Sequence, residues 1–209
     1  MNKKRSRKFD DRFKVCIICE GSEEERYIKR LSDLKVWHEN YNVIPVGAHS
    51  IDKIFAKYKY EFQSDKYDIV LVMCDTETAP YEQFKTLKRK LDDFHARDAT
   101  EHILFYTNPC TMQLILLHFD EVRLKTTDKS SIARSHLQKY FGLGEYHARD
   151  KELDIIMRKI NAENYERLKV RLKDIPSSAE NIPGTNFLDL LTLLGSPDAK
   201  WIKNINDDL

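Results

Sequence analysis

No apolar run in this 209-residue chain approaches the roughly 20 residues needed to cross a bilayer. The first residues also lack the apolar stretch of a secretory signal, so the expectation is a cytoplasmic protein without a membrane association. Cysteine is scarce. Cys16, Cys19, Cys74 and Cys110 fit buried, reduced thiols better than a disulfide framework. The spacing Cys16-x-x-Cys19 mimics a metal or redox motif, but both residues fall in a predicted strand. Side chains three apart there point to opposite faces, and no second pair follows. No G-x-G-x-x-G or P-loop sequence is present, which weakens a reading as a nucleotide-binding regulator. Internal repeats are absent, and so is low-complexity sequence beyond the basic N-terminus.

Net charge is nearly absent as well, but the formal +1 hides an asymmetry. Residues 1–14 hold Lys3, Lys4, Arg5, Arg7, Lys8, Arg12 and Lys14 against Asp10 and Asp11, a net of +5 that leaves −4 for the rest. Such an arm either contacts nucleic-acid phosphates without reading sequence or is a solvated tail.

What is present describes a folded α/β protein. Hydrophobic content of 41% and aromatic content of 11% suit a domain with a full core. Strands are predicted at Phe13–Cys19, Val43–Val46, Ile69–Cys74 and His102–Tyr106. Helical segments fall between them at 23–36, 50–63 and 80–97. This alternation predicts a parallel sheet of about four strands with helices on both faces. After Asn108-Pro109-Cys110 come an apolar run at 112–119, a helix near 131–141 and a long helix over 150–174 broken by Asn164. Two short helices follow at 185–194 and 198–205. The expected organisation is a basic flexible arm at 1–12, an α/β domain at 13–120, and a helical C-terminal region at 121–209 packed on it.

The most informative stretch is VCIICEGSEEE, residues 15–25. An apolar strand ends in Glu20-Gly21, and Ser22 with Glu25 forms a capping-box pattern that starts a helix. The run at 69–74 likewise ends in Asp75-Thr76-Glu77. Carboxylates at the carboxyl ends of two buried strands stand where open α/β sheets bind ligands. Asp75 and Glu77, two apart in extended chain, share a face and can reach one hard cation such as Mg²⁺ or Mn²⁺. Glu20 can serve as acid or base or join the metal. The same residues also suit helix caps. Asn108 at a predicted strand end can hold substrate or simply make the turn before Pro109. His118, in an apolar helical run, reads as a satisfied core histidine.

Cys19-Glu20-Gly21 followed by Asp75-x-Glu77 resembles the Toprim fold, shared by topoisomerases, primases and several nuclease families. The resemblance implies a Rossmann-like sheet with Glu20 as acid–base residue, and with Asp75 and Glu77 as Mg²⁺ ligands. Glu77 stands where those proteins usually have aspartate. The segment TNPCTMQLILLHF, residues 107–119, is similar to that of RloB-like (AbiLii-type) proteins of bacterial phage-defence loci. Asn108, Pro109, Cys110, Leu116, Leu117, His118 and Phe119 agree with that pattern. Met112 and Leu114 replace a common acidic residue and a frequent Trp. A weaker likeness touches 181–194. The resemblance implies a Mg²⁺-dependent nuclease acting on DNA or RNA beside an ATPase partner, or a non-catalytic effector of the same fold. Catalytic and metal roles fall on Glu20, Asp75 and Glu77, and substrate contacts on Gly21, Asn108, Lys3, Lys4 and Arg5.

Overall fold

The computed structural model describes residues 11–77 and 79–209. Its centre is a five-stranded sheet in the order β2-β1-β3-β4-β5, formed by Phe13–Cys19 (β1), Tyr41–Gly47 (β2), Ile69–Asp75 (β3), Leu104–Asn108 (β4) and Gly184–Thr185 (β5). The first four strands run parallel and β5 runs antiparallel. From Val15 to Cys19 and from Ile69 to Cys74 every residue is buried, as expected of central parallel strands covered on both faces. Pro45 sits in β2, an edge strand, where a missing N–H is tolerated.

Three amphipathic helices connect the parallel strands: Ser22–Asp33 (α1), Ile51–Phe62 (α2) and Glu82–His95 (α3). The path from β1 through α1 steps one way to β2. Those through α2 and α3 step the other way, so right-handed crossovers put α1 on one face and α2 with α3 on the other. Helices α2 and α3 lock together through Phe55 and Phe94, with ring centroids 6.0 Å apart, and through a 2.8 Å bond between the Tyr58 hydroxyl and His95 Nε2. The arrangement is Rossmann-like, and its strand order reverses direction between β1 and β3.

The later elements are Thr100–Ile103 (α4), Met112–Leu117 (α5), Lys129–Ile132 (α6), a π-helical turn at Ala133–Leu137, and Gln138–Phe141 (α7). They continue with Asp150–Lys159 (α8), Ala162–Leu172 (α9), Phe187–Gly195 (α10) and Lys200–Asp208 (α11). The strand predicted from His102 begins instead at Leu104. The Asp92 carboxylate accepts the Thr100 N–H at 2.9 Å and holds residues 100–103 in a helical turn. The long helix predicted over 150–174 is two helices. Asn161 and Asn164 bond reciprocally, side chain to backbone, at 3.0 and 2.9 Å, which starts α9 afresh. Arg30 of α1 caps the Ile160 carbonyl at that break, at 2.6 and 3.0 Å.

The sequence reading did not include β5. Its two residues are too few for a periodicity, yet they cover β4. Asn186, next in the chain, accepts the Tyr106 N–H at 2.8 Å and donates to the Leu104 carbonyl at 2.9 Å, extending the pairing with its side chain. Glycine is required at 184, where a Cβ would come within 2.0 Å of the Ser178 carbonyl oxygen. Among the described residues no helix is long and apolar enough to cross a membrane.

Candidate active site at the carboxyl edge of the sheet

Parallel pairing aligns Cys19 of β1 with Met73 of β3, so both strands deliver their next residues to the same edge. The Glu20 N–H extends the ladder by donating to the Met73 carbonyl at 3.1 Å. The Asp75 N–H then donates to Glu20 Oε2, also at 3.1 Å. Asp75 Oδ1 accepts two bonds from Thr111, from its N–H at 2.7 Å and its hydroxyl at 2.9 Å. Glu20 and Asp75 thus meet where the strand order reverses, the position at which doubly wound sheets open a crevice for ligands.

Glu77 is exposed and has a left-handed backbone (φ 59°). Its N–H donates to the Pro109 carbonyl at 3.2 Å, and its side chain lines the same cleft as Glu20 and Asp75. The cleft holds about 430 Å³.

The start of α1 brings more carboxylates. The helix is capped at Gly21, one residue before the position that the Ser22–Glu25 pattern implied. The Glu24 carboxylate reaches back to accept the Gly21 N–H at 2.8 Å, which fixes the register of the first turn. Glu24 is 4% exposed. Glu23, its neighbour, accepts the Tyr146 hydroxyl at 2.6 Å and lies 4.0 Å from the Lys129 ammonium.

Four carboxyl groups share this partly dry space, and their proton affinities rise together. Burial pushes Glu20 up to about 8, with repulsion from Glu24, Glu77 and Glu23 adding and the bond from the Asp75 N–H opposing. Burial and Glu24 raise Glu23 to about 7, against the pull of Tyr146 and Lys129. Glu24 is raised by burial. Asp75 is raised well above the carboxylate range by burial and by the charges of Glu24 and Glu20. Such a cluster is relieved by protons or by a cation. Among the described residues, no three His, Cys, Asp or Glu side chains are arranged to hold one ion together. The donor set itself is hard oxygen with excess negative charge, which is the chemistry Mg²⁺ and Mn²⁺ accept.

The other residues singled out in the sequence fall in different places. Gly21 lines the cleft, with its N–H committed to Glu24. Asn108 is buried one strand further along and donates to the Ala179 carbonyl at 2.7 Å and the Tyr81 hydroxyl at 3.2 Å. It is not among the residues lining the cleft. Lys3, Lys4 and Arg5 lie outside the described residues. Cys16, Cys19 and Cys74 are buried free thiols, and Cys110, partly buried and also free, lines the cleft. His118 is a core residue, bonded to the Tyr27 hydroxyl at 2.9 Å and to Asn164 Oδ1 at 3.1 Å.

The sequence reading had singled out none of Glu23, Glu24, Thr111, Lys129 and Tyr146 as site residues. Glu23 and Glu24 stood in view within SEEE. The contact between Tyr146 and Glu23 spans 123 positions, with no local signal to announce it.

The model of the RloB-like protein family matches residues 15–194, from β1 into α10. The chain belongs to the RloB-like family. The match takes in both strand ends, the Thr111 turn and the segment carrying Lys129 and Tyr146, so every residue of the cleft lies inside it. No curated protein and no solved structure matches this RloB-like chain.

Proposed function

We propose that this RloB-like chain is a metal-dependent nuclease of the Toprim type. It hydrolyses phosphodiester bonds of DNA or RNA in bacterial anti-phage defence and works beside an ATPase encoded in the same locus. The observation that carries the reading is the 3.1 Å bond from the Asp75 N–H to the Glu20 carboxylate, which ties the ends of two adjacent parallel strands together at the sheet's switch point. Family membership is consistent with the defence context.

Asp75 and Glu77 would hold Mg²⁺ or Mn²⁺, with Glu20 beside them. When bound, the ion offsets charge on the phosphate and orients an attacking water. Glu20 contributes a proton. Burial and the neighbouring carboxylates raise its proton affinity, which suits it to carry a proton to the leaving oxygen. Thr111 keeps Asp75 oriented by two hydrogen bonds, so the carboxylate does not have to be ordered at the moment of reaction. Gly21, in the lining of the cleft, is a proposed substrate contact, whereas Asn108, buried and bonded to Ala179 and Tyr81, serves the fold instead; Lys3, Lys4 and Arg5 are proposed to contact the phosphate backbone.

The test is cleavage of single- and double-stranded DNA and RNA with Mg²⁺, Mn²⁺ or EDTA, by the native protein and by Glu20→Gln. The expected result is metal-dependent cleavage that falls about 10²- to 10⁴-fold in the variant. Native protein that cuts none of these substrates would instead favour a non-catalytic effector or adaptor binding a partner protein or nucleotide. Cleavage that survives both EDTA and Glu20→Gln would place any activity elsewhere.

A further inference from the structure

Among the described residues lining the acidic cleft, Lys129 is the one lysine or arginine. It is held there by its own helix start. Asp128 caps α6 by accepting the Ser131 N–H at 2.9 Å, which sets Lys129 at the first helical position. Its ammonium lies 5.8 Å from the centre of the Tyr146 ring and 4.0 Å from Glu23 Oε1, with about half of its side chain exposed.

The two contacts to Glu23 are unequal. Tyr146 makes a short 2.6 Å hydrogen bond to the same oxygen, whereas Lys129 stands beyond hydrogen-bond reach. The ammonium lies on the solvent side of the pair, its side chain 53% exposed against 13% for Glu23, so it can turn away while Glu23 keeps the Tyr146 bond. A compact ammonium carries three donors, and a phosphodiester offers two anionic oxygens to receive them.

We propose that Lys129 is the phosphate-contacting residue of this cleft, leaving Glu23 to grip the non-bridging oxygens of a phosphodiester, while Tyr146 keeps Glu23 in place. The identity of the anion rests on the nuclease reading.

The competing role is structural, with Lys129 serving only as counter-charge to Glu23. The two roles differ in what Glu23→Gln does. The amide oxygen still accepts the Tyr146 hydroxyl but no longer competes for the ammonium. Binding is measured on full-length protein in a Glu20→Gln background with Mg²⁺, using a short fluorescein-labelled single-stranded DNA and the same sequence as RNA. Lys129→Met should weaken binding about tenfold and reduce the log–log salt slope by about 0.7, while Lys129→Arg keeps most of the affinity. Glu23→Gln should tighten binding a few-fold. Changes of the same sign for Lys129→Met and Glu23→Gln, or a shift in melting temperature with affinity untouched, would overturn the proposal.

Cleavage by protein with native Glu20 is followed in parallel. If it cuts nothing while the two variants still move affinity in opposite directions, the nuclease reading fails and the Lys129 assignment stands. If it cuts and neither variant changes affinity, the reverse holds.

Discussion

At the scale of single residues, Glu24 sets the electrostatics of the cleft. It is nearly dry, its carboxylate is spent on the Gly21 N–H, and its charge raises the proton affinity of Glu20, Glu23 and Asp75. A carboxyl group raised by folding gives stability that is complete below its unfolded value, near 4.3. That stability is lost as pH rises toward the folded value. Glu24→Gln removes the buried charge and keeps an oxygen for the Gly21 N–H. Without metal the variant should match the native protein at pH 4 and be the more stable of the two at pH 8. Denaturant melts at the two pH values measure this, and a variant that is less stable at both would show that the Glu24 charge is not a burden.

At the scale of elements, α5 is tied to α1 and α9 through one imidazole. His118 follows α5 and bonds Tyr27 of α1 on one side and Asn164 of α9 on the other. Burial lowers its proton affinity to about 3, so it is neutral in the folded protein. The unfolded chain binds a proton near pH 6.5, and stability from this group therefore falls as pH drops from about 6.5 toward 3. At pH 5 the loss is about 2 kcal/mol. The stability difference between native protein and His118→Gln should narrow by that amount from pH 7 to pH 5 in urea titrations. A constant difference would mean that His118 is not held neutral by its surroundings.

The elements also show what the sequence could reveal. β1, β3 and their terminal carboxylates were legible because unbroken apolar runs end abruptly in Glu20 and Asp75. The two-residue strand β5 and the Lys129–Tyr146 wall were not, and the split between α8 and α9 was legible only as an interruption at Asn164. β5 and the wall depend on contacts between distant residues, Asn186 with β4 and Tyr146 with Glu23, whereas the split was marked only by Asn164, whose bonds with Asn161 start the new helix. Glu24 escapes the sequence pattern for a local reason. A one-residue shift of the cap turns Glu24 rather than Glu25 back toward the strand end.

At the scale of the molecule, the sheet supplies the floor of the cleft and the later half of the chain supplies its wall. Glu20 and Asp75 come from strands formed early in the sequence, while Thr127, Lys129, Ile132 and Tyr146 close the cleft from beyond them. The assembly gathers carboxyl groups at the switch point of a Rossmann-like sheet, and we propose that they are there to bind a divalent cation. Thermal melts with and without Mg²⁺, on native protein and Asp75→Ala, test that claim most directly. A ligand that binds only the folded state raises its stability. Mg²⁺ should therefore raise the native melting temperature by a few degrees and leave Asp75→Ala unmoved. Equal Mg²⁺ responses in the two proteins would contradict the claim.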